Sequence, residues 1–142
     1  MSATDLQAVK EELVKAGLEI YRSRPAELEI AERVRLHIMD SGIRVRDGLR
    51  VVFTARTQRS DFGASVSPDQ LFERVRAAVG QSALDRGYVE EAAHTVEVKD
   101  PMDEAKILDT WHEIVYGKAA GDLNAVVEEV RWALSVDKFI AP

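Results

Sequence analysis

Residues 43–56, IRVRDGLRVVFTAR, alternate apolar and polar positions around an Asp-Gly step, and their reading decides the fold. Ile43, Val45, Leu49, Val51, Phe53 and Ala55 suit one sheet face; Arg44, Arg50, Val52, Thr54 and Arg56 suit the other. A two-residue Asp47-Gly48 turn would pair Val45 with Arg50 and carry Ile43 to the arginine side, spoiling both faces. A three-residue loop, Arg46-Asp47-Gly48, with Gly48 left-handed as a bulge, pairs Val45 with Leu49 and Ile43 with Val51. That register keeps each face consistent and is the expected one.

The hairpin sits in the most basic part of an acidic chain. Residues 33–59 hold Arg33, Arg35, Arg44, Arg46, Arg50, Arg56 and Arg59 against Asp40 and Asp47, a net +5 where the whole chain carries −6. In the expected register Arg44 lies opposite Arg50, a like-charge pair that is mildly destabilising unless an anion intervenes. Arg44, Arg50, Arg56 and Arg59 are therefore the candidate site for an acidic partner or anion, since guanidinium forks match carboxylate and phosphate oxygens. A solvated face, with arginine stems over apolar surface and Glu97 neutralising one charge, is the simpler reading of the same residues. Single-stranded nucleic acid is disfavoured: Phe53 and Phe62 are the only aromatics close by, and Phe53 faces inward.

Outward from the hairpin, Thr4 and Gln7 form a capping-box pattern for a helix over 4–22, with Leu6, Val9, Leu13, Ala16 and Ile20 on one face. Pro25 opens a second helix that buries Leu28, Ala31, Val34 and Ile38 and ends at Gly42. Residues 57–66 form a polar loop, in which Arg56, Thr57, Arg59 and Ser60 could hold an anion. Ser67-Pro68-Asp69-Gln70 is the strongest helix start in the chain. That helix buries Leu71 or Phe72, Val75, Val79 and Ala83, and stops near Gly87. A third strand is clearest at His94–Lys99. Asp100-Pro101 starts a helix to Tyr116, Gly117 and Gly121 break the chain, and Asp122 caps a last helix through Leu123, Val126, Val130 and Leu134.

The order is then α-α-β-β-α-β-α-α. It implies an α+β fold with a three-stranded, mostly antiparallel sheet, the hairpin plus one strand, and helices on one face. With 142 residues and no repeat or linker, a single domain over 1–142 is expected.

Absent residues exclude chemistry as well. The chain has no cysteine, so disulfides, thiolate metal sites and cysteine nucleophiles are out. The first residues lack a basic and apolar leader, Ser2 stands where a myristoylation pattern needs glycine, and no apolar run is long enough to span a membrane. Gly117–Gly121 has the composition of a phosphate loop but follows a helix and lacks the Lys-Ser/Thr ending. No motif implies a cofactor or a metal. Asp109, His112 and Glu113 share the fourth helix, where Asp109 and His112 would be neighbours, giving weak candidates for acid-base chemistry. His37 and His94 are the only distant histidines that could complete a ligand set.

The last helix carries a second apolar stripe of Trp132, Val136 and Phe139, suited to the centre of a homodimer contact. Together these features point to a cytoplasmic, non-catalytic protein-binding module or assembly subunit, self-associating, with an arginine-rich face for an acidic protein partner. The alternative is a small enzyme or ligand-binding protein holding phosphate or carboxylate at the Arg56–Ser60 loop, with His112 as acid-base.

Overall fold

The structure, a computed structural model, describes residues 3–142, with side chains from Leu6 onward. The capping box expected at Thr4 depends on a side chain outside the described residues. Helix α1 spans Ala3–Lys15 and buries Leu6, Val9 and Leu13. It ends earlier than its apolar spacing suggested. Gly17, at φ +85°, donates its N–H to the Val14 carbonyl while the Leu18 N–H reaches the Leu13 carbonyl. This pair of bonds satisfies the last carbonyls of the helix and turns the chain out of it.

Six strands follow: β1 (Ile20–Ser23), β2 (Glu27–Val34), β3 (His37–Arg46), β4 (Arg50–Gln58), β5 (Val89–Asp100) and β6 (Asp103–Ala119). They form one antiparallel sheet in the order β1-β2-β3-β4-β6-β5, which corrects the expected three strands. Two expected helices are strands. Residues 25–42 contain β2 and the start of β3, which pair antiparallel across the two-residue turn Arg35-Leu36. Likewise residues 101–116 contain most of β6, which is rich in β-branched and aromatic side chains.

The β3–β4 hairpin keeps its expected faces in a shifted register. Arg46 pairs with Arg50, Val45 with Val51, Arg44 with Val52 and Ile43 with Phe53. The three-residue loop is Asp47-Gly48-Leu49, with Gly48 at φ +84° and Leu49 at φ +54°. Because the displacement is two residues, each side chain stays on its own face. Arg46 rather than Arg44 therefore faces Arg50.

The chain divides into two compact units. One comprises Met1–Phe53 and Gly117–Val136, the other Thr54–Tyr116 and Asp137–Pro142. In the first, Leu28, Ile30, Ile43, Val45, Val51 and Phe53 are buried, and α1 packs on β2 and on helix α4 (Leu123–Ser135), which also contacts β3. Asp122 caps α4 by accepting the Ala125 N–H, as expected. Trp132 sets its ring edge-on to Phe53, with centroids 5.7 Å apart.

In the second unit, helix α2 (Pro68–Val75) runs through a π-turn at Arg76–Gly80 into helix α3 (Gln81–Asp85). Its capping box is complete: the Gln70 N–H donates to Ser67 Oγ, and the Ser67 N–H to Gln70 Oε1. Leu71, Val75, Val79, Ala83, Tyr88, Ile114 and Tyr116 are buried. Gly80 permits the approach of Tyr116, whose Oη would stand 3.0 Å from an added Cβ.

Candidate functional site

Arg56, on β4, is the most elaborately held side chain of the second unit. Its Nη2 lies 3.0 Å from Glu113 Oε2 on β6, and both side chains are largely buried. The guanidinium carbon sits 4.3 Å from the ring centroid of Trp111 and 5.1 Å from that of Phe139. Delocalised charge between two aromatic rings is a favourable use of arginine over lysine. The backbone is tied as well. Arg56 donates its N–H to the Lys138 carbonyl and accepts from the Ile140 N–H, which makes Phe139 a parallel bridge partner. On the outer side, His94 Nε2 is 3.1 Å from Glu113 Oε1, a contact that requires the proton on Nε2.

Of the four arginines expected to bind an anion, Arg44 and Arg50 belong to the first unit and Arg56 and Arg59 to the second. Arg44 holds Asp40 through two bonds of 2.7 Å and has Glu27 within 3.6 Å. Burial opposes its charge, yet the Asp40 carboxylate and the nearby glutamates raise its pKa above the ordinary arginine value. Arg46 donates to Glu27 at 3.2 Å. Arg50 lies opposite Arg46 on the same face. Arg59 is spent on its own loop, donating to the carbonyls of Gly63, Ala64 and Val66. Ser60, the loop hydroxyl proposed for an anion, donates from both N–H and Oγ to Asp109. Own-chain oxygens thus occupy the Arg59 and Ser60 donors of the loop, while Thr57 Oγ1 is buried without a hydrogen-bond partner.

Arg35 is the exception. Among the described residues it is the one arginine with no hydrogen bond, ion pair or aromatic contact. It stands in the two-residue turn between β2 and β3, where Val34 pairs with His37. Its φ of +57° is in the left-handed region, which an arginine occupies at some cost. Leu36 beside it is 93% exposed, and Val34, Ile38 and Met39 are about half exposed. The second hairpin, β5–β6, ends in a similar way. Met102 in its turn is 92% exposed, Ile107 and Leu108 are half exposed, and β5 is an edge of the sheet. Glu97 and Glu104 on this hairpin, like Lys99 and Lys106, are exposed and have no ion pair among the described residues.

The expected acid-base group is separated. Asp109, His112 and Glu113 lie on a strand, so residues three apart point to opposite faces. Asp109 binds Ser60; burial works against its charge, but the bonds from Ser60, Thr110 and Trp111 hold its pKa below the usual carboxylate range. His112 is buried edge-on to Phe72, with Nδ1 lacking a hydrogen-bond partner. Burial and the positive charge of Arg59 both lower its pKa, against a smaller pull from Asp109. Among the described residues no group of three or more His, Asp or Glu could hold a metal ion.

The expected dimer stripe is also divided. Helix α4 ends at Ser135, Val136 is already extended, and Phe139 belongs to the segment bridging Arg56. Trp132, Val136 and Phe139 therefore do not form one helix face. Among the described residues no helix is long and apolar enough to cross a membrane.

Comparison of the chain with models of known protein families, with curated proteins and with solved structures gives no match.

Proposed function

We propose that this chain is a cytosolic, non-catalytic assembly subunit that associates with a second copy of itself through its hairpin tips. The observation that supports this reading is the β2–β3 tip. A partnerless arginine in a strained conformation stands there beside an almost fully exposed leucine. Strain and exposed apolar surface are both tolerated where a contact with another molecule offsets them. The arginines of the sheet face and the Arg56–Ser60 loop lend less support to an external anion, since carboxylates or carbonyls of the same chain engage Arg44, Arg46, Arg56 and Arg59.

Sedimentation velocity across low to high micromolar concentration tests this reading. The wild type should shift from monomer toward a larger species as concentration rises. A chain that remains monomeric throughout would remove self-association from the account.

A further inference from the structure

We infer that the β2–β3 tip of one copy docks on the β5–β6 hairpin of another. This rests on the self-association proposed above and names the contact that produces it. The two hairpins are complementary in charge. Arg35 is an arginine without a partner among the described residues, whereas residues 97–106 of the β5–β6 hairpin hold Glu97, Asp100, Asp103 and Glu104 against Lys99 and Lys106, a net −2, with Glu97 and Glu104 in no ion pair among the described residues. They are alike in their apolar surface: Leu36 stands beside Arg35, and Met102 lies in the turn between Glu97 and Glu104. An exposed apolar side chain next to an unpaired charge, met by the same pair of opposite sign, makes a contact that excludes water and selects its partner. Because both halves belong to one chain, the partner is present at equal concentration wherever the protein is.

Local geometry favours the same assignment. Asp100 Oδ1 accepts the Met102 N–H and Asp103 Oδ1 accepts the Ala105 N–H, so the acidic turn is shaped by its own side chains. Those bonds leave Glu97 and Glu104 as its uncommitted carboxylates. Edge strand β5 also presents backbone donors and acceptors along its open side, which a second chain can use. In a two-fold dimer each copy would give one tip and receive one, so the contact would occur twice.

A charge exchange tests the pairing. Arg35→Glu alone, and Glu97→Arg with Glu104→Arg alone, should each weaken association at least about tenfold. Mixing the two variants should restore it, because every contact in the mixed species again joins opposite charges. Wild-type association should also weaken as salt rises and screens the tips. Thermal melting of each variant checks that these exposed substitutions leave the fold intact, and Leu36→Ser should weaken association without reversing a charge.

Undiminished association of the Arg35→Glu variant, or a mixture that remains monomeric, would overturn the pairing while self-association by another surface stands. A monomeric wild type fails the proposed function itself. If that monomer co-sediments with vesicles of anionic lipid through Arg35, the tip is a membrane contact instead.

Discussion

Arg56 and Glu113 meet at 3.0 Å with side chains only 17% and 10% exposed, so their charges are paired in a setting that water barely reaches. Removing one member of such a pair harms a fold more than removing both, because the remaining charge is stranded. Glu113→Gln should therefore destabilise the protein by about 2–3 kcal/mol in urea unfolding. Arg56→Met combined with Glu113→Leu should cost less than the single change. Equal or larger loss in the double variant would mean that the Trp111 and Phe139 contacts to the guanidinium dominate over the ion pair.

This pair also marks the limit of what could be read from the residues. Strand alternation at 43–56 correctly placed Arg56 on the face opposite the core, but its partners lie on β6, which was expected to be helical. Ile107, Leu108, Trp111, Ile114 and Val115 match helical spacing better than strand spacing. In the structure Ile107 and Leu108 belong to a solvated hairpin, so they do not define one buried face. Periodicity fails where both faces of a strand are exposed, because no core enforces alternation. At β2 the reason is the reverse: the register shifts between Glu29 and Ala31 and residues 28–31 are all buried, so no polar face marks the alternation. By contrast, Ser67–Gln70 and Asp122 were legible because capping depends only on neighbours in sequence.

The hairpin loop offers a direct check on backbone geometry. Gly48 has φ +84°, a region that β-branched residues resist. Gly48→Val should destabilise the fold by over about 1 kcal/mol. An unchanged melting temperature would show that the loop adopts another conformation in solution.

His112 should give the protein a pH dependence that begins just below neutrality. Its folded pKa is depressed, first by burial and then by Arg59, so the unfolded chain takes up the proton more readily. The stabilisation is complete above the ordinary histidine pKa of about 6.5 and is lost as pH falls from there toward the folded value. Replacing His112 with Leu should flatten that part of the stability profile. Asp109 and Glu90, both depressed, act in a lower window, below the usual carboxylate range; Glu90 is held down chiefly by its hydrogen bonds from Arg76. A His112→Leu profile that still falls between pH 6.5 and the carboxylate range would assign the effect to another group.

Trp132, half-buried, should contribute to the stability of the fold. Its ring is edge-on to Phe53, which is fully buried. Trp132→Ala should reduce stability by about 2 kcal/mol, less than for a fully buried aromatic because the ring is partly exposed. Denaturant unfolding and sedimentation separate the alternatives. A stable variant that merely loses self-association would return Trp132 to the interface.

Arg35 provides the test that separates strain from packing. Its left-handed backbone would suit glycine better, and among the described residues its side chain makes no hydrogen bond, ion pair or ring contact that a substitution would remove. Arg35→Gly should therefore leave the melting temperature equal to or slightly above that of the wild type, since relief of backbone strain offsets the added freedom of the unfolded glycine. Association should nevertheless weaken, because the guanidinium that meets Glu97 and Glu104 of a second copy is gone. Such a divergence, with stability kept and assembly lost, is the behaviour of a residue retained for contact rather than for folding. Thermal melting and sedimentation of the same sample read both quantities. A variant that associates like the wild type would leave the unusual backbone at position 35 as a property of the turn alone.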